Sequence, residues 1–283
     1  MRIANLGGRA ALVTGVDRAL DVAELSDGAF GPDPHSLLDD WAAFLAWATA
    51  PREQSADALR SFRLEDLGPP VPRPRQVFAV GINYTEHAHE AGYPPDAMPV
   101  TFTKFPSCLA GPRAQVVLPT ATVDWEVEAV AAIGIGGRDI ERAAAWDHVA
   151  GLTVGQDLSE RTGQLVGAKP QFGLAKSHAG FGPTGPWLVT PDELPDRDDL
   201  AISCALSGEV VQESRTSMLV YDVPELIARL SAVCELFAGD LVFTGTPAGV
   251  GNARDPKRFL TSDDTLTSTI EGIGTITQSF VGP

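Results

Sequence analysis

The segment Val123-Asp124-Trp125-Glu126-Val127-Glu128-Ala129-Val130 alternates with period two and runs on into Ala131-Ala132-Ile133. In a strand, Asp124, Glu126 and Glu128 share one face, while Val123, Trp125 and Val127 share the other. The apolar continuation calls for burial, so three like charges lead directly into a core. Either this acidic face is solvated, or a divalent cation neutralises it. Hard cations such as Mg²⁺, Mn²⁺ or Ca²⁺ prefer carboxylate oxygen. Carboxylates that enter a buried strand are costly unless paired or metal-bound, which keeps the second reading open.

Around this segment, short β-branched runs alternate with Gly/Pro turns: Gln76–Val80, Gln115–Leu118, Val123–Ile135, Trp187–Val189, Ala201–Leu206 and Asp240–Thr244. That pattern predicts a β-rich domain from residue 76 to 283. One helix stands out at Val223–Cys234, with Asp222 as its cap, Pro224 in its first turn and Gly239 suited to its end. Residues 1–67 read as a small separate unit, with helical apolar spacing over Leu37–Trp47. Residues 68–75, which begin Gly68-Pro69-Pro70-Val71-Pro72-Arg73-Pro74, read as a stiff, extended linker, because proline fixes φ and removes a donor.

The 283 residues suffice for one large core or a core plus a small appendage. The net charge is -16 and no Lys/Arg-rich run occurs, which argues against a basic face for nucleic acid or anionic membrane. A metabolite anion would need a locally positive site. Cys108, Cys204 and Cys234 are odd in number and lack CxxC spacing, so a reducing cytoplasm is expected, with neither a disulfide framework nor a zinc site. The first residues carry no signal-peptide pattern, and the longest apolar stretch, near Ala129–Ile135, is too short to span a membrane.

Three further segments are able to carry chemistry. Asp157 follows the apolar run Val149–Val154 and is either a third metal ligand or a helix cap. His87 and Glu90, three apart, would lie side by side on one helical turn, where a carboxylate fixes the imidazole tautomer and supports a general base. The alternative is an exposed polar helix, with His89 as a rival partner. Gly239–Gly251 is a strand feeding a Gly-rich loop that either aims N–H groups at an anion or is a plain tight turn. It matches neither a P-loop nor a Rossmann fingerprint.

Together these pieces resemble the fumarylacetoacetate hydrolase family. The motifs are Gly-x-Asn-Tyr-x-x-His at 81–87, Asp-x-Glu-x-Glu at 124–128, Gly-x-Asp-x-x-x-Arg at 155–161 and Thr-Gly-Thr-Pro-x-Gly-Val-Gly at 244–251, in the family's order. Ala175-Lys176-Ser177 and Gly182-Pro183-x-Gly-Pro186 lie between the last two. The resemblance covers residues 76 to 283, and residues 1–67 resemble the small N-terminal α+β domain of many bacterial members. It implies an α+β, mainly β fold, a mixed β-sandwich or roll, holding one Mg²⁺ or Mn²⁺ (possibly Ca²⁺ in its place). By position Glu126, Glu128 and Asp157 would be the ligands, with Asp124 outside them. His87 with Glu90 would be the general base pair, and Lys176, Gln164 and Arg161 would line the site. Lys104, Thr246 and Gly245 would contact substrate, Thr246 holding its carboxylate. A homodimer is implied as well. The extra ligand of the eukaryotic enzymes falls near Val80, and Lys176-Ser177-His178-Ala179 stands where many members read Lys-Ser-Phe-Asp.

The expected substrate is a small 2-oxo or diketo acid that chelates the cation, with Lys176 helping to stabilise the enolate as a neighbouring bond breaks. The leading expectation is hydrolysis of a C–C bond in an acylpyruvate or 1,3-diketo acid. The alternatives are an isomerase or decarboxylase of hydroxydienoates or oxaloacetate, and a non-enzymatic metal-binding sensor.

Overall fold

The computed structural model describes residues 1–50, 58–94 and 98–282. It is mainly β, in several sheets with both parallel and antiparallel pairings. The strand expected from the period-two segment forms as Val127–Ile133, and every residue in it is buried. The alternation decides which core each side chain joins. Val127, Ala129, Ala131 and Ile133 enter the larger core. Val130 and Ala132 enter a second one, with Trp41 and Phe44. A strand covered on both faces needs apolar residues at both parities, which explains the unbroken apolar run.

Val127–Ile133 pairs with Val149–Gln156 on one side and Leu241–Phe243 on the other, both antiparallel. Leu241–Phe243 then pairs in parallel with Val77–Gly81. A second sheet packs Glu209–Arg215, Ala201–Leu206, Thr265–Ile270, Gly274–Val281 and Gln115–Val117 in that order. Its Ile202, Leu266 and Ile276 share the larger core with the odd face of Val127–Ile133, so the two sheets form a sandwich.

The structure departs from the sequence expectations in three places. The strand is interrupted at Trp125–Glu126, so Val123–Asp124 forms a separate short pairing with Ser159–Glu160. The helix Val223–Val233 forms with Asp222 and Cys234 as its caps, but Gly239 takes no part in its end. The apolar stretch near residue 40 forms two helices, Ser36–Asp39 and Trp41–Thr49, with Asp40 capping the second. The proline-rich segment contributes Val71 to the second core. Strand Arg2–Leu6 also pairs with Gly182–Val189, so the first residues extend the main sheet. No helix among the described residues is long and apolar enough to cross a membrane.

Candidate functional site

Strand register builds the centre of the site. Val127 lies opposite Gln156, and Glu128 opposite Gly155. This brings Glu126 and Glu128 to one strand end and Asp157 just past the end of its neighbour. Gly155 leaves room there, since a Cβ would lie 2.4 Å from Val130 and 2.9 Å from Phe243. The Asp157 N–H donates to the Glu126 carbonyl at 2.9 Å, and Gln156 Oε1 accepts from Glu126 N–H at 2.8 Å. Glu126, Glu128 and Asp157 are all buried, and each offers one oxygen within 4.8 Å of the others. Asp157 caps no helix.

Cationic side chains of the protein hold this cluster. Lys176 Nζ donates to Glu126 Oε2 and Asp157 Oδ2, both at 2.7 Å. Arg161 reaches Glu126 Oε1 at 2.8 Å and Asp124 Oδ2 at 2.7 Å. Asp124 is turned away from the glutamates by the strand break and also accepts from the Gly251 and Asn252 N–H groups, at 2.7 and 2.9 Å. Lys104 Nζ donates to Asp157 Oδ1 at 2.6 Å and to the Lys176 and Phe181 carbonyls. All three of its donors are thereby used, and it does not line the cavity. The structure makes Lys104 a residue that positions Asp157, not the substrate contact expected from the resemblance. Gly245 is corrected in the same sense. Its N–H donates to Glu128 Oε2 at 2.7 Å, at a φ of +107° that suits glycine.

Four carboxylates (Asp124, Glu126, Glu128, Asp157) thus share three cations (Lys104, Lys176, Arg161) in a buried space. Burial pushes the Glu128 carboxyl well above the usual carboxylate range, and the charges of Asp157 and Glu126 push it further. Burial also acts to raise Glu126, but Lys176 and Arg161 outweigh it and hold its carboxyl at about 2. Burial opposes the charge on Lys176, yet Asp157 and Glu126 raise its pKa overall. The cluster is one positive charge short, and the deficit falls on Glu128. The Tyr84 hydroxyl is buried without a hydrogen-bond partner, and its pKa is raised by burial and then by the charge of Glu128. All-oxygen donors, full burial and a missing positive charge fit a hard divalent cation.

A cavity of about 570 Å³ opens beside the cluster. Glu126, Lys176, Arg161, Gln164, Thr246 and His87 line it, with Phe102, Phe172 and Val250 as apolar wall. Val80, near which an extra ligand would fall, is also part of the lining and supplies no donor atom. His87 Nδ1 lies 3.2 Å from Glu90 Oε2, within the short helix Thr85–Glu90. The Gly249 N–H donates to both Glu90 oxygens, at 3.0 and 3.1 Å. The chain turns into that helix through Ile82, whose φ of +54° is uncommon for a β-branched residue. The Gly-rich loop therefore does aim N–H groups at anions, but the anions are Glu128, Glu90 and Asp124 of the protein itself.

Next to the cluster, Lys176, Gln164 and Thr246 keep donors for a ligand. Lys176 uses two of its three N–H groups on carboxylates. Gln164 accepts from Arg161 at 2.9 Å through Oε1, leaving its NH₂ group. Thr246 accepts from Gln212 Nε2 at 2.8 Å, leaving its own O–H. Gln212 also accepts from the Val127 N–H at 3.1 Å, so it ties the loop to the central strand. Gln212 and Tyr84 were given no role from sequence. Tyr84 stands inside a motif, whereas nothing local marks Gln212.

Comparison with known proteins gives a consistent picture. Residues 76–281 match the model of the fumarylacetoacetate (FAA) hydrolase C-terminal domain. Human mitochondrial oxaloacetate tautomerase FAHD2A is 42% identical over 214 residues, 75% of this chain and 68% of the relative. A crystal structure of a putative HpcE protein from Mycobacterium smegmatis superposes with a TM-score of 0.93 at 55% identity, covering 100% of this chain and 99% of the other. Maleylpyruvate hydrolase from Sphingobium sp. SYK-6, crystallised with manganese(II) and pyruvate, gives 0.80 at 29% identity, covering 100% and 99%.

Proposed function

Because the chain belongs to the fumarylacetoacetate hydrolase family, we propose that it is a divalent-metal-dependent enzyme that shifts a proton on a small 2-oxo acid, interconverting keto and enol forms. The observation that carries this reading is the His87–Glu90 pair opening onto the same cavity as Glu126 and Lys176. One acid–base residue beside a cluster that fits a metal is the least a 1,3-proton shift requires. The 42% identity to an oxaloacetate tautomerase supports the same reading.

Glu126, Glu128 and Asp157 would hold the ion, Mn²⁺ or Mg²⁺, which when bound supplies Lewis-acid polarisation of the 2-oxo carbonyl. The chain's own residues do the rest. Thr246 O–H and the Gln164 amide donate to the substrate carboxylate. The remaining Lys176 N–H donates to the carbonyl oxygen as negative charge gathers there. Glu90 accepts the Nδ1–H of His87, leaving Nε2 unprotonated as the base. Nε2 takes a proton from the carbon next to the carbonyl and returns it to the oxygen, or runs the exchange backwards. Phe102, Phe172 and Val250 keep water from competing for that proton.

Hydrolysis of an acylpyruvate C–C bond is the second reading, favoured by the likeness to a maleylpyruvate hydrolase bound to manganese and pyruvate. His87 would then take its proton from water. We include a homodimer in the proposal, to be checked by light scattering on the purified protein. The two reactions separate in one assay, in which ketonisation of enol-oxaloacetate is followed by ultraviolet absorbance beside pyruvate release from an acylpyruvate. Both are run with Mn²⁺, with Mg²⁺ and with EDTA. Metal-dependent ketonisation without pyruvate release is expected. Pyruvate release without faster ketonisation would replace the first reading by the second.

A further inference from the structure

Two buried glutamines take backbone donors at the strand break. Gln156 Oε1 accepts from the Glu126 N–H at 2.8 Å, and Gln212 Oε1 accepts from the Val127 N–H at 3.1 Å. Leu241–Phe243 pairs with Val130, Ala131 and Ala132 and stops short of Val127, so this role falls to Gln212. Gln212 comes from the second sheet, in the strand Glu209–Arg215. Its amide nitrogen crosses to the Gly-rich loop, where Nε2 donates to the Pro247 carbonyl and to Thr246 Oγ1, both at 2.8 Å. Loop and strand approach closely at Gly249, where a Cβ would collide with the Val211 carbonyl.

Partners of fixed polarity set which way round this amide lies. A peptide N–H only donates, and a proline carbonyl only accepts. A flipped amide would oppose donor to donor at Val127 and acceptor to acceptor at Pro247. Thr246 has no such fixed polarity, because a hydroxyl both donates and accepts. Facing an N–H, its oxygen must accept, and its own hydrogen points elsewhere. Among the described residues no protein group accepts that hydrogen. Thr246 lines the cavity with Glu126 and Lys176, so the O–H is left for an acceptor there.

We propose that Gln212 is a positioning residue for substrate binding. It fixes the polarity of the Thr246 hydroxyl, so that this part of the cavity presents a donor and takes an acceptor such as an ionised carboxylate. Gln212 does not line the cavity and acts through Thr246. This rests on the function proposed above for the placement of a carboxylate at Thr246, but its test needs no turnover.

Oxalate is titrated calorimetrically into the protein saturated with Mn²⁺, with Gln212 substituted in the presence of Thr246 and of Thr246→Val. Thr246→Val alone should weaken oxalate by about tenfold, as for one lost hydrogen bond to a charged group. Gln212→Glu keeps the shape and the acceptor for the Val127 N–H but puts an oxygen opposite Thr246, whose O–H turns to it. The loss it causes should be about tenfold larger with Thr246 than with Thr246→Val. Effects of the added charge or of altered packing enter both and cancel in the ratio. Gln212→Met adds no charge and keeps the test open should the acidic variant not fold. It frees the hydroxyl among its staggered positions, so it should cost about threefold with Thr246 and nothing further with Thr246→Val. A merely structural role for Gln212 would weaken oxalate alike in both backgrounds, which would overturn this inference and leave the proposed function standing. Unchanged oxalate affinity in Thr246→Val would overturn it together with the carboxylate anchor of that function. Coupling without turnover in the assay above would sink the proposed function alone.

Discussion

The floor and the rim of the cavity are built by different means. On the floor, Glu126, Glu128 and Asp157 come from two paired strands, and each carboxylate is fixed by a buried Lys, an Arg or a backbone N–H. The rim consists of a six-residue helix carrying His87 and Glu90 and of the loop carrying Arg254 and Lys257. There Glu90 is held by the Gly249 N–H and by His87, and the loop backbone is tied to Asp124 through Gly251 and Asn252. A metal cluster tolerates little displacement, so it sits where register and charge over-determine position. Proton transfer and substrate choice need donors that are still available, so they sit where the fold leaves hydrogen bonds unspent. Substitutions on the floor should therefore show in stability and metal binding, and substitutions on the rim in rate and KM.

The largest separation is expected at His87. His87→Ala should lower the rate of proton transfer by about 10² to 10⁴, the usual contribution of a positioned general base. Mn²⁺ affinity and melting temperature should stay near the wild-type values. Glu90→Gln should lose less, because it keeps the shape and removes only the charge that orients the imidazole. A fall in Mn²⁺ affinity for His87→Ala would merge rim and floor into one unit.

Lys104→Met probes the opposite end of the comparison. It leaves Asp157 Oδ1 buried without its cation, a change that destabilises by about 3–5 kcal/mol. Thermal unfolding of the metal-free variant should show that loss. Mn²⁺ should raise the melting temperature of the variant more than that of the wild type, because the ion supplies the missing charge. A variant as stable as the wild type without metal would mean that the floor is not held by charge.

The smallest effect is expected at Thr246, which touches both regions. Thr246→Val removes the free O–H that donates to the substrate carboxylate and the acceptor for Gln212. KM should rise by about tenfold with kcat little changed, as for a lost binding contact. A matching fall in kcat would move Thr246 from substrate binding to the chemistry.

The same division governs what could be read from the sequence. Glu126 and Glu128 could be singled out because acidic residues at period two enter an apolar run, which left a solvated face and a divalent cation both open. Asp157 stood at a strand end, though as a ligand or a cap alike. Asp124 was placed on the glutamate face because period two cannot show the break at Trp125–Glu126. Lys104 was misjudged for a related reason. Its partner lies 53 residues away, and only the tertiary structure shows that all three donors are used. Pairing of Arg2–Leu6 with Gly182–Val189 is a long-range match without a local signal.

The central claim is that the buried carboxylates outnumber the cationic side chains that face them and that a divalent cation fills the gap, leaving one net positive charge toward an anionic substrate. Calorimetric titration of Mn²⁺ into the wild type and Glu128→Ala tests this directly. One ion per chain is expected in the wild type, with binding strongly weakened in the variant, which loses a ligand along with the charge the ion would neutralise. Unchanged Mn²⁺ affinity in Glu128→Ala would contradict the account.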